Sequence, residues 1–211
     1  MLIDIVKKHY NLTEKDIGDL SSYSVMGMKF NIRSYYAEGL GNVSFTQASG
    51  MMGAMKMTSL VINPFEIDSP LCSIDYVKAM GNHKAYCELY NTMLEADYDT
   101  IELKKIVEKY DDLADEPSKE QWYDDLIVYT IRKSGKDEKR ANELMEEALE
   151  TYLESLGSAK KCDKQLKIQK AKTYSDGLLE HGGPATDPVK KKLGLEKTTR
   201  MFNQAMFGVE I

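Results

Sequence analysis

Near residue 95 the hydrophobic period of this chain changes, and the change limits the folds open to it. From about residue 23 to 92, short runs alternate partly between apolar and polar side chains and are rich in Tyr, Ile and Val. That is the texture of strands in a half-buried sheet. Met28 to Tyr35 reads as one strand, and Gly39-Leu40-Gly41-Asn42 as a turn. In the next strand Val43, Phe45 and Gln47 share one face, with Ser44, Thr46 and Ala48 on the other. Gly50 to Gly53 turns the chain into Met55 to Asn63, which Pro64 stops. Leu71 to Val77 and Lys84 to Tyr90, joined through Gly81-Asn82, complete an expected antiparallel meander of about five strands.

Beyond residue 95 the apolar positions recur every three to four residues. Ile101, Leu103, Ile106, Val107 and Tyr110 form one stripe. Ser118 and Gln121 have capping-box spacing, and Trp122, Leu126, Tyr129 and Thr130 follow as an expected helix. Asp137 is placed to cap a long helix from Ala141 to Leu156 that Gly157 ends. A lysine-rich helix is expected from about 159 to 180, broken by His181-Gly182-Gly183-Pro184. Asp187-Pro188 opens a short helix ending near Gly194, and a last helix carries Thr199, Phe202, Ala205 and Met206. A short helix with Leu2, Ile5, Val6 and His9 precedes the strands. Strands first and helices after give an α+β fold, not alternating βαβ units. The expected architecture is an α/β/α sandwich over residues 1–211, a single domain with a central antiparallel sheet flanked by helices.

Charge is divided along the chain. The net charge of −6 conceals −1 over residues 1–94, −10 over 95–157 and +6 over 158–200. Three cysteines, with no C-x-x-C pair, make neither an even disulfide framework nor a zinc or iron–sulfur site of known spacing. No apolar run is long enough to span a bilayer, and Asp4 interrupts the N-terminus before any signal core. A cytoplasmic chain with no membrane partner is the expectation. Glycine-rich phosphate loops, an H-E-x-x-H pair and a nucleophile elbow are all missing. The basic C-terminal stretch lacks interleaved aromatics, so no nucleic-acid partner is expected. Met51, Met52, Met55 and Met57 cluster; thioethers ligate soft metals, but they also fill irregular cores or line a roomy apolar pocket, which is the reading adopted. Tyr35, Tyr36, Tyr86 and Tyr90 are likewise read as sheet packing.

Asp75 stands out. It interrupts Leu71-Cys72-Ser73-Ile74-Asp75-Tyr76-Val77, a run suited to a covered strand. An ionised carboxylate buried there costs several kcal/mol unless paired or hydrogen-bonded. Desolvation would raise its pKa and make it a proton donor near neutral pH. By spacing alone, an edge-strand aspartate facing water is the simpler account.

The stretch from Leu60 to Val77, with Asn63-Pro64, Asp68-Ser69-Pro70 and then the strand bearing Asp75, resembles the ferredoxin-dependent bilin reductases. That family includes the phycocyanobilin-forming enzyme and red chlorophyll catabolite reductase. Asp187-Pro188-Val189-Lys190 and the segment from Lys197 through Phe207 are similar to its C-terminal helices. The resemblance spans roughly 43–94 and 174–207, and the acidic middle has no counterpart. It implies an antiparallel sheet between two helical layers. It further implies reduction of a linear tetrapyrrole, with no flavin or metal bound and with electrons from an external ferredoxin or flavodoxin. By position Asp75 matches the aspartate that protonates the bilin. Ser59 falls where the phycocyanobilin-forming enzyme has histidine, and Gln47 near its glutamate; neither delivers a proton near pH 7. On this reading Ser59, Gln47 and Arg200 position the substrate. Lys160, Lys164, Lys167, Lys190 to Lys192 and Lys197 join Arg200 in holding propionates or docking an acidic ferredoxin. Two other classes stay open: a tetrapyrrole carrier or sensor without turnover, and an interaction module using the acidic 95–157 segment.

Overall fold

A computed structural model describes residues 1–95, 97–117, 121–183 and 186–210. Five long strands form the expected meander: β3 (Met28–Ala37), β4 (Gly41–Gly50), β5 (Met55–Pro64), β6 (Leu71–Ala79) and β7 (Asn82–Tyr90). β1 (Leu12–Lys15) and β2 (Ser22–Val25) both pair with β3. On the other side β9 (Ile127–Gly135) pairs with β7, and the short β8 (Ala114–Asp115) pairs with β9. The described residues thus form a nine-stranded sheet in the order β1-β3-β4-β5-β6-β7-β9-β8, with β2 beside β1 on the same edge of β3 and every pairing antiparallel.

β9 corrects the helix expected after Gln121. Trp122 to Thr130 has helical spacing, but Ile127-Val128-Tyr129-Thr130-Ile131 is a β-branched and aromatic run. Such side chains lose rotamer freedom in a helix and pack well on a pleated surface. The open edge of β7 takes them. Ser118 of the expected capping box, and Pro184 of the expected helix break, lie outside the described residues.

Each face of the sheet buries one helical layer. Val43, Phe45, Leu60, Ile62, Cys72, Ile74 and Leu89 pack with α1 (Leu2–His9), α2 (Ile101–Lys109) and α3 (Glu138–Ser155). α3 starts where Asp137 accepts hydrogen bonds from the Lys139 and Arg140 amides at 2.8 and 3.2 Å. α3 and β9 both derive from the acidic segment, which is thereby built into the core. The opposite face carries Ile32, Val61, Leu71 and Tyr90 beneath α4 (Lys164–His181), α5 (Thr186–Leu193), α6 (Leu195–Arg200) and a π-helical turn, Met201–Met206. α4 begins later than expected because Asp163 caps it, accepting from the Gln165 and Leu166 amides. Among the described residues no helix is long and apolar enough to cross a membrane.

The C-terminal layer is fastened to the sheet by side chains that take the carbonyls freed at the end of the π turn. Register partners Asn42 and Asn63 donate to the Met206 and Phe207 carbonyls at 2.9 and 2.7 Å. Lys15 donates to the Gln204 carbonyl at 3.0 Å. Gly208, at φ 62°, lets the chain turn directly over Asn42, where an added Cβ would lie 2.5 Å from the side chain.

Lys167 corrects another expectation. It is fully buried, so its ammonium is not presented to a docking partner. Its ammonium donates to the Ser69 and Thr92 carbonyls at 2.5 and 2.7 Å and lies 3.6 Å from Asp68. Burial lowers its pKa to about 8.

The methionine cluster meets the core-or-pocket expectation only in part. Met51 and Met52 stand in solvent at the β4–β5 turn. Met57 lines a cavity under the C-terminal layer.

Candidate functional site

β6 lies inside the sheet, between β5 and β7, so Asp75 is not an edge residue facing bulk water. Its register partners are Ser59 on β5 and Tyr86 on β7; Thr46 pairs with Ser59, and Arg132 with Tyr86. Opposed residues in an antiparallel pair project to the same face. Thr46, Ser59, Asp75, Tyr86 and Arg132 therefore form one row beneath the C-terminal helices.

The carboxyl of Asp75 is pushed up to about 6, chiefly by desolvation and further by the neighbouring charge of Glu88. Hydrogen bonds from Ser59 and Ser73 and the charge of Arg132 oppose the shift. Ser73 Oγ donates to Asp75 Oδ2 at 2.8 Å. The result is an acid half-protonated at about pH 6 and still protonated in a minor fraction at pH 7, from which it can give up or recover a proton.

On one side of Asp75 the row opens into a cavity of about 230 Å³. Thr46, Ser59 and Met57 form its floor, and Pro188, Val189 and Phe202 lie opposite. Among the described residues no charged side chain lines it; Asp75 is reached through Ser59 and is not itself part of the wall. On the other side lies a buried polar and aromatic cluster. Arg132 Nη1 donates to Glu88 Oε1 at 2.7 Å, the Tyr90 phenol donates to Glu88 Oε2 at 2.5 Å, and the Arg132 guanidinium lies 4.6 Å from the Tyr86 ring centre. Tyr174 and Tyr123 close on Tyr90, with ring centres at 4.6 and 5.6 Å. Trp122 stacks on His181 at 4.9 Å and fills a notch in α4 that exists because residue 177 is glycine.

Three buried side-chain atoms among the described residues have no hydrogen-bond partner: Asn63 Oδ1, Trp122 Nε1 and Arg132 Nε. Each unpaired buried polar atom costs about 1–3 kcal/mol. All three lie on the side of the sheet that carries Asp75. Orphaned donors and an acceptor on the face that also carries a raised carboxyl suit this face to a ligand with both polar and apolar surface, although Asn63 lies four residues along β5 from Ser59, away from Asp75.

The structure brings together only part of the expected set. Ser59 adjoins Asp75. Gln47 does not: it pairs with Thr58, is exposed and projects from the opposite face, because side chains alternate along a strand. Thr46 occupies the corresponding place beside Ser59. Arg200 is exposed on α6 and pairs with Asp19 at 3.5 Å, as Lys197 does at 2.8 Å, so both cations sit on the outer surface. Arg132, Glu88 and Trp122 escape the sequence reading. Trp122, the chain's only tryptophan, falls in the expected helix, and Arg132 follows just beyond it with no local pattern to single it out.

No protein-family model matches the sequence, and no curated protein does either. A solved structure does match: phytochromobilin synthase from tomato, in complex with biliverdin. It aligns with TM-score 0.68 over 99% of this chain and 80% of that one, at 15% identity. The two chains share a fold. The likeness is one of architecture, a large antiparallel sheet flanked by helices on both faces, which is the arrangement expected from the order of strands and helices. At this identity it speaks to the fold alone.

Proposed function

We propose that this chain binds a linear tetrapyrrole between the sheet and the C-terminal helices and reduces it, with Asp75 as the proton donor. One observation carries the reading: a carboxyl in the middle of the sheet, raised to about 6, faces the helical layer beside an apolar cavity. The shared fold with a protein solved in complex with biliverdin supports it. Reduction of one double bond consumes two electrons and two protons. The electrons would come singly from an external ferredoxin or flavodoxin, since no cofactor is proposed to reside in the chain. Asp75 would protonate the radical formed by the first electron and be recharged from solvent. Ser59 would hold Asp75 and contact the substrate. Arg132 Nε and Trp122 Nε1 are free to donate to a propionate and a lactam oxygen. The outward lysines of α5, with Lys197 and Arg200, would meet an acidic electron donor.

The cavity is smaller than the ~300–1,000 Å³ clefts that enclose drug-sized ligands. A whole open-chain tetrapyrrole therefore requires α5 and the π turn to move away from the sheet. Anaerobic incubation with biliverdin and reduced ferredoxin, followed by absorbance, tests the proposal. Consumption of biliverdin by the native chain and its loss in Asp75→Asn is expected. No turnover with a stable, red-shifted complex would assign the chain as a carrier or sensor instead, and no complex at all would refute both.

A further inference from the structure

The turns β2–β3, β4–β5 and β6–β7 all lie at one end of the sheet, because alternate connections of an antiparallel meander share an end. Neighbouring turns are two strands apart, about 10 Å. Each turn contains Met-Gly: Met26-Gly27, Met52-Gly53 and Met80-Gly81. Met26, Met51, Met52 and Met80 have φ between 49° and 53°, and no other non-glycine among the described residues has positive φ. Tight hairpins put Asn, Asp or Gly at such positions. Methionine there meets a steric penalty and returns little burial, since the four side chains are 78%, 64%, 108% and 90% exposed, with Met26 alone also edging the cavity under the C-terminal layer.

The charge around these turns is equally one-sided. Residues 22–29, 49–57 and 76–84 contain Lys29, Lys56, Lys78 and Lys84 and no carboxylate, in a chain of net charge −6. Lys29, Ser49, Lys56, Lys78 and His83 register as one row across five strands. From other elements Glu138 pairs with Lys78 and Glu116 with Lys84. Lys29 and Lys56 are exposed and have no carboxylate partner among the described residues. The row lies two to three residues behind the tips, roughly 7–10 Å along a strand.

From this placement we infer that the hairpin end of the sheet docks on an anionic lipid surface, inserting its methionines below the headgroups while the lysine row meets the phosphates. The depth matches: interfacial apolar groups sink ~5–10 Å, and lysines next to a membrane contribute through the anionic leaflet. A narrow line of protruding tips offers little of the ~800 Å² per partner that a stable protein interface needs. Whole-chain charge and hydropathy conceal such a surface because it is assembled from three separate hairpins. The inference departs from the expectation of no membrane partner and does not depend on the tetrapyrrole reading.

Cosedimentation of the full chain with phosphatidylcholine vesicles, with and without phosphatidylglycerol, tests it. Pelleting is expected only with the anionic vesicles, and should weaken as salt rises from about 0.1 M to about 1 M, where screening shortens from ~10 to ~3 Å. The triple variant Met26→Asn, Met52→Asn, Met80→Asn keeps residues that tolerate the left-handed turn. It should melt no lower than the native chain and yet lose roughly tenfold or more in vesicle partitioning. Lys29→Gln with Lys56→Gln should reduce binding to anionic vesicles. Native chain left in the supernatant, or a triple variant that pellets equally, overturns the inference. So does velocity sedimentation showing a vesicle-free dimer that the triple variant abolishes, which would make the surface a contact between copies.

Discussion

Replacing Asp75 with asparagine should stabilise the protein near neutral pH and lose that advantage in acid. The unfolded carboxyl titrates near 3.8 and the folded one near 6. The folded chain therefore holds an extra proton between about pH 4 and pH 6, and stability falls as pH rises through that window. A shift of about two units is worth about 3 kcal/mol at pH 7. Asp75 retains some exposure, which makes that figure a ceiling. Asparagine keeps one oxygen for Ser59 or Ser73 and forfeits the second acceptor, at a cost of about 1 kcal/mol. Asp75→Asn should thus be about 1–2 kcal/mol more stable than the native chain at about pH 7.5. At about pH 4 it should be equal or slightly less stable. Paired urea titrations at several pH values measure the difference directly, and other titrating groups largely cancel between the two proteins. A difference that does not change between about pH 4 and pH 7.5 would refute the claim that desolvation sets the state of this carboxyl. The same variant should lack reductase activity, so a gain in stability with a loss of turnover would separate a catalytic role from a structural one.

Further outcomes follow from single contacts. Gly177→Ala gains about 1 kcal/mol of helix propensity, but its Cβ would lie 2.3 Å from the Trp122 ring. A net loss of about 1–2 kcal/mol and a shift in Trp122 fluorescence are expected, the latter readable because no other tryptophan contributes. Lys167→Ala strands the Ser69 and Thr92 carbonyls and should cost about 3 kcal/mol in urea unfolding. Asp137→Ala removes the side-chain cap of α3 and should cost about 1 kcal/mol, with a lower thermal midpoint.

Features governed by neighbours in the chain were readable in advance. Asp137 caps α3 through amides two and three residues away, and the meander turns sit at glycines. Asp75 was visible as an anomaly because a carboxylate in an apolar run is costly wherever that run is buried. Elsewhere one residue of offset, or a choice between two periods, decides the outcome. Gln47 and Thr46 are adjacent, yet the pleat sends them to opposite faces, and only the register against Thr58 and Ser59 tells which one joins Asp75. Trp122 to Thr130 fits a helical period, and the vacant edge of β7 made its second half a strand carrying Arg132.

The five-strand meander, the Asp137 cap and the existence of two apolar layers are thus written in the chain itself, since propensity, turn chemistry and hydrophobic period act over a few residues. The proton affinity of Asp75, the burial of Lys167, the orphaned donors of Arg132 and Trp122 and the alignment of three methionine tips belong to the assembled sheet. Each depends on groups far apart in sequence, because desolvation and charge pairing are properties of a neighbourhood that exists only after the strands have paired.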